Sequence, residues 1–271
     1  MAARTIIGID FAVNPANTGL ALATLSGQHT ETPFLDDVET GKNKAPTDVV
    51  ADWLQKAKND DEPALIAIDA PLGWPNGLSQ ALNRHMAGER ICVPAHRLFD
   101  RETDRDIACL KKPQSVGAER IARVAHAALN FLADLRNKMS LDLPLAWDWQ
   151  GIREASVIEV YPASTLKAYS LPFEGYKASS QRTEKEKRGR RNEIADGLLA
   201  ARGPHMCRLG MKEAVRLRLT EDDDLLDAAV CVLAAMDFLC GYAVAPMPGK
   251  QWLGVREGWI WARRGTAELF G

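Results

Sequence analysis

Two runs in the chain share one pattern: continuous apolar residues that end in a carboxylate. Thr5-Ile6-Ile7-Gly8-Ile9-Asp10 is the first, and Ala64-Leu65-Ile66-Ala67-Ile68-Asp69 is the second. Runs of this length, rich in β-branched residues and without alternation, predict strands buried on both faces. The turn chemistry of Asn14-Pro15-Ala16-Asn17-Thr18-Gly19 predicts a hairpin into an antiparallel strand over 18–23. A shorter strand is expected over 33–40. Thr47-Asp48 is then placed to cap an amphipathic helix beginning at Val49. Because that helix is a crossover, the second run is expected to lie parallel to the first.

Residues 74 to about 140 carry a mostly helical pattern interrupted at Pro75, Pro94 and Pro113, and read as an insertion covering one mouth of the sheet. A third apolar strand, 156–162, carries Glu159 and closes at Pro162. Beyond it the reading is a charged loop over 181–191, a helix over 192–202 and a long helix over 217–239. An edge strand or hairpin arm is expected at 257–261. No internal repeat and no low-complexity linker divides the chain, so one α/β domain over 1–271 is expected, with the helical insertion at about 74–150.

Composition narrows the class. The chain has 34 Lys and Arg against 36 Asp and Glu, a formal charge of -2, which excludes a general basic footprint for nucleic acid. The five cysteines are scattered without a C-x-x-C pair, which argues against disulfides and a zinc knuckle. Without an apolar leader or a bilayer-length apolar run, a cytoplasmic location is the expectation.

The candidate chemistry lies in the carboxylates. Neighbouring strands are ~4.8 Å apart, so Asp10 and Asp69 at the same ends of adjacent parallel strands come close together. Such a pair raises a pKa unless a cation neutralises it, and oxygen-only donors suit Mg2+ or Mn2+. Asp224 and Asp227, three residues apart, share one helical face. If that helix meets the strand ends, three or four carboxylates converge on a space suited to two metals. Glu159 is either a further member or faces a neighbouring helix. Each acid also has a plainer reading: the run 222–224 as a helix cap, Asp10 as a turn cap through Asn17 or Thr18, and Asp69 as an Asx turn before Ala70-Pro71.

An ordered set of segments carries a resemblance over nearly the whole chain. It comprises Gly8-Ile9-Asp10, Ile68-Asp69-Ala70-Pro71-Leu72-Gly73, Arg101-Glu102-Thr103-Asp104-Arg105, Glu159-Val160-Tyr161-Pro162, Tyr176-Lys177, 224–228 and Glu257-Gly258-Trp259-Ile260. Together they resemble the family called domain of unknown function 429, described as predicted ribonuclease-H-like nucleases. The stretch Asp224-Leu225-Leu226-Asp227-Ala228-Ala229 also looks like the last acidic helix of the RuvC-type Holliday-junction resolvases. The resemblance implies a mixed five-stranded sheet, three antiparallel strands followed by parallel ones, flanked by helices. It also implies a metal-dependent nuclease in which Asp10, Asp69, Asp224 and Asp227 match the metal-binding acids. One departure is Asp69, where the resolvases commonly carry glutamate. Arg101, Thr103, Asp104, Glu159, Tyr161 and Lys177 have no resolvase equivalents and suggest a pocket peculiar to the smaller family.

The mechanism expected on this basis is two-metal phosphodiester hydrolysis, with Asp10 bridging the ions and Arg101 or Lys177 neutralising the phosphate. For Arg101 to Arg105 the plainer reading is a salt-bridged helix start, and for the basic run at 182–191 a solvated loop. Nucleic acid is the expected partner class, and the oligomeric state stays open, a dimer included. Two other functions share the same core: nucleotide binding or phosphoryl transfer of the actin-like and sugar-kinase type, and a non-catalytic binding module. His85, His96, His126 and His205 lack ligand spacing, and Trp147, Trp149, Trp252, Trp259 and Trp261 read as core or lid packing.

Overall fold

The first apolar run forms the centre of a six-stranded sheet. A computed structural model describes residues 5–25, 32–117, 119–200 and 206–263. The chain opens with β1 (Thr5–Asp10), β2 (Gly19–Thr24) and β3 (Phe34–Thr40), crosses through α1 (Pro46–Asn59) and returns as β4 (Ala64–Asp69). Four short helices follow: α2 (Asn76–Leu82), α3 (Ala95–Phe99), α4 (Glu102–Asp106) and α5 (Ala108–Lys111). The long α6 (Glu119–Met139) completes the insertion before β5 (Ala155–Glu159). The remaining elements are α7 (Pro162–Ala168), α8 (Glu184–Leu199), β6 (Gly210–Met211), α9 (Glu213–Glu221), α10 (Asp223–Leu239) and α11 (Gln251–Glu257).

The sheet order is β5-β4-β1-β2-β3-β6, with β2 antiparallel to both neighbours and β4 and β5 parallel to β1. This is the ribonuclease-H-like plan, extended by one strand. The sixth is the two-residue β6, parallel to β3.

Strand alternation divides the interior into two layers. Ile6, Ala21, Leu65, Ala67 and Ile158 point toward α10, α7 and α8, while Ile7, Ile9, Leu20, Ile66 and Ile68 meet α1 and α6. Helix α10 is buried at every position from Leu225 to Leu239, apolar except for Asp227 and Asp237. Its seat is cut by two glycines. A Cβ at Gly8 would strike the Ala228 carbonyl and lie 2.9 Å from Val232 Cγ2, and one at Gly19 would strike the Asp224 backbone. The helix therefore packs backbone-close over β1 and β2.

Four expectations are corrected. The charged segment at 181–191 is no loop: Thr183 and Glu186 form a capping box, with Thr183 N–H donating to Glu186 Oε2 at 2.9 Å, and α8 runs from Glu184. The expected 217–239 helix is two helices, because Asp222 is extended and its side chain caps α10. Helix α1 starts at Pro46 without a side-chain cap, so Thr47-Asp48 does not cap it. At the end of the chain Glu257 closes a helix, and Ile260 alone bridges Glu159 in a strand-like way. Among the tryptophans, Trp259 and Trp261 are buried while Trp252 is 57% exposed. His205 and the last two residues of the expected 192–202 helix lie outside the described residues, within which no helix is long and apolar enough to cross a membrane.

The glycine seat makes a measurable demand. Gly8→Ala and Gly19→Ala should each lower unfolding free energy by about 3 kcal/mol in urea titrations. Gly189→Ala, inside α8 with open space around it, should instead gain about 0.5–1 kcal/mol. Equal, small effects at all three positions would disprove the close approach.

Candidate active site

The seat of α10 determines which acids meet. Asp10 and Asp69 are register partners at the ends of β1 and β4. Both follow the parity of Ile6, Gly8, Leu65 and Ala67, so both project from the sheet face that α10 covers. Gly19, the register partner of Asp10, lies against the Asp224 backbone, which sets the first turn of α10 over the strand ends. Asp222 Oδ1 accepts the N–H groups of Asp224 (3.0 Å) and Leu225 (3.4 Å) and starts the helix there. One turn on, Asp227 is fully buried.

The crowding appears in the acidities. Burial pushes the Asp10 carboxyl well above the ordinary range, Asp227 adding to the rise, Lys177 opposing it, and Asp69 and Asp224 contributing further. Burial lifts Asp69 to about 7, with Lys177 opposing and Asp227 and Glu159 adding. Asp224 rises to about 6 through burial and the charges of Asp223 and Asp222.

One cation from the chain itself sits among them. Lys177 Nζ is 2.5 Å from Asp227 Oδ2, and the Tyr176 hydroxyl donates to Asp227 Oδ1 at 2.7 Å. Burial works against the Lys177 charge, but Asp227, Asp10 and Asp69 outweigh it and hold the ammonium charged. The lysine side chain is 45% exposed, so it reaches the acids from the solvent side.

The donor chemistry fits a hard divalent cation. The candidate ligands are carboxylate oxygens that repel one another, and Asp227 Oδ2 is buried without a hydrogen bond, matched only by the lysine charge. Among the described residues no three His, Cys, Asp or Glu side chains are arranged around a single ion position. Asp227 pairs with the ammonium of Lys177, which the charges of Asp10 and Asp69 also help to keep protonated.

Glu159 does not join this group. Strand alternation sends Ile158 and Val160 toward α10 and Val157 and Glu159 to the opposite face. There Arg101, 1% exposed, donates to Glu159 Oε1 (2.7 Å) and Oε2 (2.8 Å), to Asp104 and to the Glu257 carbonyl. Arg101 was expected to be available to a phosphate, yet its donors are spent inside the fold. The salt-bridged helix start was the better of the two readings, because Asp104 also accepts the Arg101 N–H at 2.8 Å. Thr103 Oγ1 accepts the Ile260 N–H, and Glu257 accepts the N–H groups of Asn76 and Glu102. These residues pin the insertion and the end of the chain to β5.

Above the acids lies a cleft of about 950 Å³. Asp69, Tyr161, Tyr176 and Lys177 line it, with Arg120 and Arg123 of α6 on one wall and Phe173 on another. Burial raises the Tyr161 phenol to about 12, so it remains a donor at neutral pH. Sequence reasoning missed the parts played by Arg120, Arg123 and Tyr176. The signals were an i,i+3 arginine pair on a helix bordering the insertion, and the tyrosine preceding Lys177 in the quoted set.

Comparison with known families matches residues 8–251 to the family described as "Protein of unknown function (DUF429)". The chain belongs to that family. Comparison with curated proteins gives no match. Among solved structures, the "Thermus thermophilus RuvC structure" aligns at 11% identity over 88% of this chain and 96% of that one, with a TM-score of 0.31. At that score the likeness carries no argument about the site.

Two outcomes check this geometry. Arg101→Met, which strands two buried carboxylates, should cost about 3–5 kcal/mol in denaturant unfolding, and a loss below 1 kcal/mol would contradict the network. The second concerns Asp69, whose pKa is raised from an ordinary 3.8 to about 7. In that window the folded state holds a proton that the unfolded state releases, so this group's contribution to stability is full below pH 4 and lost as pH rises through 7. In EDTA, Asp69→Asn should therefore match the parent at pH 4. At pH 8 it should exceed it by on the order of 2 kcal/mol, allowing for water at the half-buried carboxylate.

Proposed function

We propose that this chain hydrolyses phosphodiester bonds with the help of Mg2+ or Mn2+ held by Asp10, Asp69, Asp224 and Asp227. The observation that carries the reading is the ammonium of Lys177, which pairs with buried Asp227, feels the charges of Asp10 and Asp69, and lines a solvent-accessible cleft together with Asp69. A buried carboxylate cluster costs several kcal/mol of stability, and that cost is the usual mark of a functional site. Nucleic acid or a smaller phosphodiester is the substrate class such a floor serves.

When bound, the cation supplies Lewis acidity, offsetting phosphate charge and making water a better nucleophile at neutral pH. Four carboxylates are donors enough for a two-ion arrangement. The chain's own groups do the rest. Tyr176 fixes the rotamer of Asp227 through its 2.7 Å hydrogen bond. Lys177 swings on a long stem and, once released from Asp227, brings its positive charge to the phosphate. Tyr161, protonated throughout the neutral range, donates a hydrogen bond from the wall.

A second reading has one observation in its favour: Lys177 and Tyr176 already neutralise and satisfy Asp227, as a structural cluster would require. The two readings separate on cation binding. Carboxylates of raised pKa must lose protons to bind metal, so the rise in melting temperature caused by Mn2+ should grow from pH 5.5 to pH 8. Asp10→Asn together with Asp227→Asn should abolish that rise and reduce cleavage of a phosphodiester substrate by at least about a thousandfold. Cleavage that survives in the double variant would sink the proposal, and a melting temperature indifferent to Mn2+ would favour the structural reading.

A further inference from the structure

The cleft has features that select among phosphodiesters. Asp69 lines the cleft beside Lys177, whose ammonium pairs with the fully buried Asp227, so a scissile group must descend between walls to reach them. The volume of about 950 Å³ falls within the ~300–1,000 Å³ of small-molecule sites. A duplex is instead met by an extended basic surface, since it presents a charge every ~1.7 Å along its axis.

Such a surface is missing where the sequence pointed to it. The basic run at 182–191 is folded into α8 and largely consumed by partners in the chain. Lys187 is buried on the Ala178 carbonyl and Glu184, and Arg191 is buried on the Thr220 and Tyr176 carbonyls. Arg188 pairs with Glu221, and Arg190 donates to the Glu174 carbonyl.

The cleft wall is differently equipped. Arg120 and Arg123, three residues apart on α6, face the space above Asp69. Arg123 is 71% exposed and pairs with the still more exposed Glu119, a pair that yields readily to a stronger anion. Three rings, Phe11, Tyr161 and Phe173, supply flat apolar surface, and Phe173 has the ammonium groups of Lys111 and Lys167 each 5.6 Å from its centre. Rings interleaved with cations above an acidic floor suit a substrate with one flat group and one or two phosphates.

We propose that the substrate of this cleft is a small phosphodiester of about two nucleotides or fewer, bound through Arg120 and Arg123, and that duplex nucleic acid is excluded. The inference rests on the phosphodiesterase reading above and narrows it. In the reaction, water forms the new P–O bond, one P–O ester bond breaks, and the departing oxygen takes a proton. The products are a phosphomonoester and an alcohol, and no redox partner is consumed.

The experiment has a binding arm and a cleavage arm, both on the full chain with Mn2+. Calorimetry compares a dinucleotide carrying a non-hydrolysable phosphorothioate link with a 20-base-pair duplex. Cleavage is followed on the ordinary dinucleotide, on a 20-mer single strand and on the duplex. The expected result is binding and hydrolysis of the dinucleotide, cleavage of the 20-mer single strand at least about tenfold slower, and at least tenfold weaker binding of the duplex. Arg120→Ala with Arg123→Ala should raise KM for the dinucleotide about tenfold while kcat changes less than about twofold. Duplex bound more tightly than dinucleotide, internal cuts in the duplex, or no binding of the dinucleotide would each overturn the inference. Dinucleotide binding without cleavage of any substrate would retain the ligand class and remove the proposed activity, so the two failures are distinct.

Discussion

The backbone-close packing of α10 on Gly8 and Gly19 is the constraint on which the rest depends. A side chain at either glycine would push the helix off the sheet. Because apolar residues surround α10 and only Asp227 and Asp237 interrupt them beyond its first turn, it needs cover from the sheet below and from α7, α8 and α9 around it. That burial holds its first turn over the ends of β1 and β4. The acids at the strand ends and the acids on the helix are consequently brought together by packing forces that owe nothing to the acids themselves. The hydrophobic layer supplies the stabilisation, and the carboxylates draw on it.

The charges at that junction are balanced locally. Lys177 meets Asp227 from the solvent side, and its charge opposes the rise in pKa at Asp10 and Asp69. A second charged network, Arg101 with Glu159, Asp104 and the backbone of Glu257, lies on the other face of the sheet and is closed to solvent. The two networks sit one residue apart in strand parity. Both border the same cleft, and exposure separates their roles: the donors of Arg101 are spent on internal partners, whereas Lys177 stands half in solvent. An ammonium at 45% exposure can leave; a guanidinium at 1% cannot leave without unfolding its surroundings.

Much of this was legible in the linear pattern. The strands ending in Asp10 and Asp69, the hairpin between β1 and β2 and the parallel return after α1 all follow from apolar runs, turn residues and crossover length, which are local properties. Helix α8 was legible too, through Thr183 and Glu186, but the density of charge at 182–191 drew the reading toward a loop. What misled there was the inward use of Lys187 and Arg191, whose stems pack while their charged ends find carbonyls. The break at Asp222 was hidden because three consecutive aspartates read equally as a helix start or as part of a helix already under way.

The sequence by itself determined the first four strands, the hairpin and parallel return among them, and the family, because strand pattern, turn chemistry and motif order are written along the chain. Only the tertiary structure decided which acids act together. Glu159 and Asp69 look alike in sequence, each an acid near the end of an apolar strand. A single step of parity puts Asp69 under α10 with Lys177, and Glu159 on the far face with Arg101. The partner of each charge is a long-range choice made by packing, since Arg101 meets Glu159 across 58 residues of chain. No local pattern carries information over that distance.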